Sequence, residues 1–552
     1  MALTTDLGNA AAAIDDVVER CREPMNMPGV ALAVTDRDHL LYTSYAGVCD
    51  AGTGAAVGPA TLFEIGSISK SFTALLVLQL WQEGELDLHA PVTDVLPWFA
   101  VRSPYRPITP HHLLTHTAGL VQGSEATPAG PSEVWGLRDL DVGGPPGSPF
   151  HYSNHGYKTL GLILERITGR PYGETLRERI LGPLGMERTE PAITRDLVDR
   201  MATGYEALFD DRPLGAGGRL APVAVLETDT ADGSIASTAE DMAGYLRVFL
   251  NDGRGPGGPV VTPDALAIMI SPHTPSSDPP YHDDSYGYGL NVEAVDGRRR
   301  VGHGGGMVGY SAHIGLDLDV GVGVVVLTNG PWSPFPVADF ALRAACAAVD
   351  GGLPPPSAPD PGGVADPGAY SGTYVEAGSA GGARRIRVAA KESELVLEID
   401  GGGVRLRRTE DPDAFVVPEP SMERFCLVFE RANGEVTGVV HGADRFVREG
   451  SPGSAAPGEI PEAWRAYPGH YRSHNPWFTN FRIVGRGGAL LLIAPGGVEA
   501  PGSEQVLVPR DDGSFRLGRA DSPEQILFDT TIDGMTVHAN LSGGDYYRTF
   551  TP

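Results

Sequence analysis

Ser67-Ile68-Ser69-Lys70 opens a run over residues 67–82 in which Ile68, Phe72, Leu75, Leu76, Leu78 and Leu80 supply the apolar positions of a buried helix, closed by Glu83-Gly84-Glu85. Polar residues cluster at its start. Three residues along a helix is less than one turn, so Ser67 and Lys70 share a face. A serine hydroxyl is a poor nucleophile at neutral pH unless a neighbour accepts its proton, and Lys70 is placed to do so. Burial and the dipoles of a helix N-terminus both disfavour the ammonium form, while the free N–H groups there suit a developing oxyanion. The arrangement predicted is one for acyl transfer. Taken alone, S-x-x-K arises by chance and fits equally a serine-rich helix start with a solvated lysine, so the rest of the chain has to decide.

Outward from this helix, residues 30–45 read as a hairpin turning at Asp36-Arg37-Asp38, and residues 311–329 as a second one turning near 317–321. Between them lie helical patterns over 110–114, 156–169, 177–184 and 239–251. Strands at both ends with helices in the middle imply that the two hairpins pair in one antiparallel sheet, with helices packed on it and a helical insert beside it. This is an α+β plan.

A helix over 337–349 ends in Asp350-Gly351-Gly352, after which Pro354, Pro355, Pro356, Pro359 and Pro361 mark a semi-rigid linker. Beyond it, residues 384–388, 395–399 and 404–407 read as short strands, with little that looks helical. That third of the chain is also duplicated. Tyr370-Ser371-Gly372-Thr373-Tyr374 returns 97 residues later as Tyr467-Pro468-Gly469-His470-Tyr471, and each unit ends in an aromatic-plus-arginine strand, Phe446-Val447-Arg448 and Tyr547-Arg548. The spacing suits a small closed barrel or sandwich. The expected domains are therefore residues 1–352, a linker over 353–368, a first β-barrel over 369–450 and a second over 462–552, with a further linker across 450–461.

At 552 residues the chain exceeds one ordinary core, and its 41% apolar and 20% charged content is that of a globular protein. A net charge of −28 repels phosphate backbones and anionic lipid, so nucleic acid and membrane surfaces are poor partners and a small molecule or short peptide is the expected substrate. Residues 1–21 lack the basic and apolar regions of a secretory signal, and no stretch reaches the roughly 20 apolar residues that span a bilayer, which predicts a cytoplasmic protein. Cys21, Cys49, Cys346 and Cys426 have no metal-like spacing and read as reduced core residues. His111, His112, His116, His155 and His313 show no metal-binding spacing either, and His116 reads as packing or orienting a loop near the cleft. No metal or cofactor is implied. Oligomeric state, monomer or homodimer, is left open.

Two more stretches bear on Ser67. Tyr152-Ser153-Asn154 follows a loop, Pro145-Pro146-Gly147-Ser148-Pro149, and precedes a helix. A phenol beside an ammonium can serve as a general base, and an amide can hold a substrate carbonyl. His303-Gly304-Gly305-Gly306 stands just before the second hairpin, where glycines let a substrate backbone lie against the strand and Gly306 N–H can join Ser67 N–H as an oxyanion hole.

In this order and spacing the pieces resemble the serine β-lactamase and penicillin-binding-protein superfamily, in its class C β-lactamase-like branch, with Y-x-N and H-x-G as the second and third motifs. Residues 108–120, with Leu-Leu-Thr-His-Thr-Ala-Gly-Leu, residues 233–242, and Pro183-Leu184-Gly185-Met186 resemble it too, so that the likeness covers about residues 30–330. It implies that Ser67 is acylated, that Lys70 takes its proton, and that Tyr152 is the partner base which protonates the leaving group. Asn154 would hold the substrate amide, with Gly305 and Gly306 on the oxyanion strand. His303 occupies the position of the third-motif lysine. Ordinary pKa values near 10.4 for lysine and 6.5 for histidine mean that a fixed positive charge is lost there at neutral pH. That charge typically meets a substrate carboxylate, so carboxypeptidase and β-lactamase activities are disfavoured. The three-domain plan is similar to that of D-stereospecific aminopeptidases, whose catalytic domain precedes two lipocalin-like barrels. The resemblance thus points to a serine hydrolase acting on peptides or amides. A carboxylesterase, transacylase or peptide-cyclising thioesterase would use the same acyl-enzyme, and a catalytically silent ligand-binding protein is the reading from outside enzymology.

Overall fold

The computed structural model describes residues 7–123, 130–276, 284–351, 356–377, 384–399, 402–451, 458–500 and 504–549. Leu353, Pro354 and Pro355 of the expected linker, and residues 452–457 of the second, lie outside these. The chain forms two compact units, Met1–Glu206 with Ala221–Pro359, and Ala207–Leu220 with Asp360–Pro552.

The first unit is built on a nine-stranded antiparallel sheet. Its centre is formed by Gly29–Thr35 and Val322–Thr328, the inner strands of the two expected hairpins, which pair from Val30 opposite Thr328 to Thr35 opposite Gly323. All seven residues of each are buried, which requires cover on both faces of the sheet. The helices Ala239–Leu250 and Phe335–Asp350 pack on it: added Cβ atoms would meet Leu246 at Gly323 and Leu342 at Gly315. The helix Asn9–Arg22 buries Ile14, Val17, Val18 and Cys21 and leaves the acidic residues of that segment on its outer side.

The helix Ser69–Gln82 is buried on every side from Ser69 to Leu80, as its unbroken apolar sequence requires. A short 3-10 turn, Gly66–Ile68, leads into it. The expected helices over 110–114, 156–169 and 239–251 are found as Pro110–Leu114, Asn154–Thr168 and Ala239–Leu250. Cys21 and Cys346 are buried, Cys49 and Cys426 only partly so, and all four are free thiols. Among the described residues no helix is long and apolar enough to cross a membrane.

The second unit contains a nine-stranded sheet and a closed eight-stranded barrel, both antiparallel. The sheet's two end strands, Gly402–Arg405 and Arg407–Arg408, are neighbours in sequence, so it curls into a nearly closed barrel. The single strand expected over 404–407 is thus two, broken at the buried Leu406. Tyr374, Phe415 and Phe429 fill one interior, and Tyr471, Phe481, Phe515 and Tyr546 the other. Side chains therefore occupy the space a ligand would need.

The duplication is physical as well as textual. Tyr374 Oη donates to Tyr370 O and Tyr471 Oη to Tyr467 O, at 2.6 and 2.7 Å. The guanidinium of Arg448 donates to the carbonyls of Ala369, Val436 and Ser371, and that of Arg548 to those of Ala466, Thr536 and Pro468. Sequence gave no notice of the segment Ala207–Leu220 belonging here. Its Arg212 pairs with Glu423, Ala216 N–H donates to Arg408 O at 2.8 Å, and Asp210 takes Arg472 on its carboxylate and Asn480 on its carbonyl.

Candidate active site

Gly66 has φ +52°, and a Cβ on it would come within 2.7 Å of Gly306 N and O. Gly305 is equally confined, since its Cβ would fall 1.9 Å from Ile65 O. Only glycines let the turn before Ser67 lie backbone to backbone on the strand Arg298–Met307. That close approach places Gly305 and Gly306 beside the start of the buried helix.

Ser67 is partly exposed, whereas Lys70, less than a turn further, is fully buried. Lys70 Nζ donates to Ser67 Oγ at 3.0 Å and to the carbonyl of Asp232 at 2.8 Å. It also lies 4.9 Å from the ring centre of Tyr152 and 5.7 Å from that of Tyr157. The second expected motif is therefore brought to the first. Ser153 caps the helix Asn154–Thr168, its Oγ accepting from Gly156 N–H and donating to Val121 O. Asn154, the first residue of that helix, is buried and anchored through its N–H on Gln122 O at 2.7 Å. Tyr152 Oη is itself buried and has no hydrogen-bond partner among the described residues.

His116 is what holds Tyr152 in place. Its carbonyl accepts from His151 N–H at 2.8 Å and its Nδ1 from Ser153 N–H at 3.0 Å, so both neighbours of Tyr152 are clamped. It does this from a left-handed conformation, φ +55°, which a non-glycine residue adopts only where the surroundings enforce it. With Nδ1 accepting, the neutral ring carries its proton on Nε2, which is buried without a partner among the described residues. Burial, with Lys70 next, holds the imidazole well below its ordinary pKa.

His303 lies 6.3 Å from Tyr152, ring centre to ring centre. Burial pushes its pKa down to about 3, a hydrogen bond to Gly304 O opposes this, and the nearby Lys70 adds to it. The imidazole is uncharged at neutral pH. Its ring sits in an aromatic group that includes Tyr286, which the motif reading passed over although Tyr286-Gly287-Tyr288-Gly289, alternating aromatic and glycine just ahead of the third motif, carries a signal. Tyr286 Oη is 3.0 Å from His303 Nε2. Gly289, at φ +71°, presses against Lys70 O, where a Cβ would come within 2.7 Å.

His111 and His112 bond elsewhere: His111 Nδ1 meets Tyr288 Oη at 2.8 Å, and His112 Nδ1 accepts from Thr109 N–H. Among the described residues no three His, Cys, Asp or Glu side chains are placed to hold a metal ion.

The family model described as Beta-lactamase matches residues 14–348. Penicillin-binding protein 4 of Amycolatopsis lactamdurans is 32% identical over 322 residues, which take in 56% of this chain and 82% of that protein. Among solved structures, an octameric penicillin-binding protein homologue from Pyrococcus abyssi superposes with a TM-score of 0.58 at 25% identity, covering 80% of this chain and 100% of that one. A D-stereospecific amidohydrolase from Streptomyces sp. does so with a TM-score of 0.50 at 25% identity, over 61% of this chain and 98% of its own.

Proposed function

The chain belongs to the beta-lactamase family of serine hydrolases, and from that premise we propose that it forms an acyl-enzyme on Ser67 with peptide or amide substrates, with a D-configured residue as acyl donor. Ser67 Oγ attacks the carbonyl carbon while its proton passes to Lys70 Nζ. The carbonyl oxygen, now carrying the negative charge, is met by the N–H groups of Ser67 and Gly306. Tyr152 Oη gives a proton to the departing nitrogen as the C–N bond breaks, and Asn154 holds the substrate amide. The proton held on Lys70 Nζ restores the Tyr152 phenol, and water then attacks the ester, one of its protons passing to Ser67 Oγ as the acyl C–O bond breaks.

The observation that carries this reading is the 3.0 Å contact of a wholly buried Lys70 Nζ with Ser67 Oγ, its other hydrogen bond going to a neutral carbonyl. The uncharged His303 supports a substrate without a carboxylate beside the scissile bond, and the amidohydrolase likeness supports the D-configured donor. Intact-mass analysis with an activated ester of a D-amino acid is the test. The adduct is expected on the unaltered protein and absent from Ser67→Ala. A Ser67→Ala protein that still turns the ester over removes the proposal.

A further inference from the structure

His303 Nδ1 lies 2.5 Å from the carbonyl of Gly304, and a carbonyl only accepts. Nδ1 therefore carries the proton, Nε2 presents a lone pair, and the bond at Nε2 is donated by the Tyr286 hydroxyl. Both ring nitrogens are used inside the protein. Tyr286 is fully buried, with the rings of His116, Phe150 and His303 centred 4.9, 5.3 and 5.8 Å away, and burial holds its phenol well above the ordinary pKa of 10.0. It is a permanent donor. The titratable groups that face His303 are Lys70 from the buried helix, His313 from the neighbouring strand, Tyr152 and His116 from the clamped turn, and Tyr286 itself. None is a carboxylate that would favour an imidazolium.

We propose that Tyr286 is a positioning residue: by donating to His303 Nε2 it fixes the imidazole as the uncharged Nδ1–H tautomer and sets the third-motif subsite for an uncharged group, an amide, ester or blocked peptide end, in place of a free carboxylate. The inference rests on the acyl-enzyme reading above. In Tyr286→Phe the lone pair at Nε2 loses its donor, so protonation of the ring becomes easier and the subsite gains positive charge on the acid side.

The full-length protein and Tyr286→Phe are compared on D-alanine p-nitroanilide, whose leaving group is uncharged, and on D-alanyl-D-alanine, whose leaving group bears a carboxylate, between about pH 4 and about pH 8. The ratio of the two kcat/KM values is expected to stay flat with pH in the unaltered protein. In the variant it falls severalfold at the acid end, where a ring freed of the Tyr286 bond begins to take a proton, through the KM of the dipeptide. A folded variant that keeps the unaltered ratio at every pH overturns the proposal. Should Tyr286→Phe not fold, 15N spectra of histidine-labelled unaltered protein decide, with His303 assigned by its loss in His303→Gln. A nitrogen pair protonated on Nδ1 and silent across that pH range is expected, and an Nε2-protonated or titrating ring overturns the proposal. Acylation of Ser67, read by mass in the same samples, keeps a failure of this inference distinct from a failure of the reading beneath it.

Discussion

Arg448 and Arg548 are each held by three main-chain carbonyls, so that the last strand of either barrel is tied to the residues that open it. Around Lys70 the arrangement is the reverse: Tyr152 Oη and His116 Nε2 are buried and have no hydrogen-bond partner among the described residues. A buried donor left unpaired costs about 1–3 kcal/mol, and in the barrels no such expense is incurred at these arginines. The difference separates two uses of polar side chains. Where the groups satisfy one another they fix the fold, and where they stay unsatisfied among the described residues, beside Lys70, they mark the candidate site.

The sharpest way to break this contrast is Tyr152→Phe. Since the phenol has no partner to lose, the substitution is expected to leave the unfolding midpoint unchanged or slightly raised. It should lower kcat/KM by about 10²–10⁴, the usual scale of a lost general acid–base group. Steady-state kinetics and denaturant unfolding on one preparation test both halves. A variant that loses stability and keeps its rate would show that Tyr152 belongs with the latches.

Arg448→Ala and Arg548→Ala probe the other side. Each removes three hydrogen bonds and leaves carbonyls exposed to poor alternatives, so each is expected to lower unfolding free energy by about 3 kcal/mol while the hydrolytic rate of folded protein stays the same. Lysine at either position should recover only part of the loss, because a compact ammonium cannot reach all three carbonyls in the guanidinium's fixed geometry. Denaturant melts followed by far-ultraviolet circular dichroism read this out. Equal stability in arginine and alanine forms would remove the latch from the argument.

The same contrast explains what could be read from the sequence. The two hairpins, the helix after Ser67 and the paired barrel openings were legible because periodicity and repetition express main-chain patterns directly. Ser67, Lys70, Tyr152 and His303 were found as motifs, and the fold brings them together. Tyr286 was not found, since a tyrosine in a two-residue strand looks like any core aromatic until its hydroxyl is seen on His303 Nε2. Nor did Asp210-Asp211-Arg212 announce that residues 207–220 group with the barrels; a polar run of that kind reads as a solvated loop, and only its ion pairs with Glu423 and Arg472 say otherwise. Long-range polar pairing leaves no period in the chain.

Glu64 offers the finest test, because it is a buried acid three residues before Ser67 whose carboxyl makes no hydrogen bond or ion pair among the described residues. Burial pushes its carboxyl up to about 8, from an ordinary 4.5. Between those two values the folded protein keeps the proton and the unfolded chain has lost it, so folding binds protons and stability declines as pH rises, by at most about 1.4 kcal/mol for each pH unit. His303 works in the opposite sense, since its proton is bound by the unfolded chain below about 6.5 and by the folded protein only near 3, so its contribution is lost as pH falls. Glu64→Gln removes the first effect and leaves the second. The stability difference between Glu64→Gln and the unaltered protein is therefore expected to grow in favour of the variant from about pH 6 to about pH 8. Urea unfolding at several pH values measures it. A difference that stays level with pH would mean that Glu64 ionises normally in the folded state, and an unpaired buried group would then have to be sought elsewhere on the approach to Ser67.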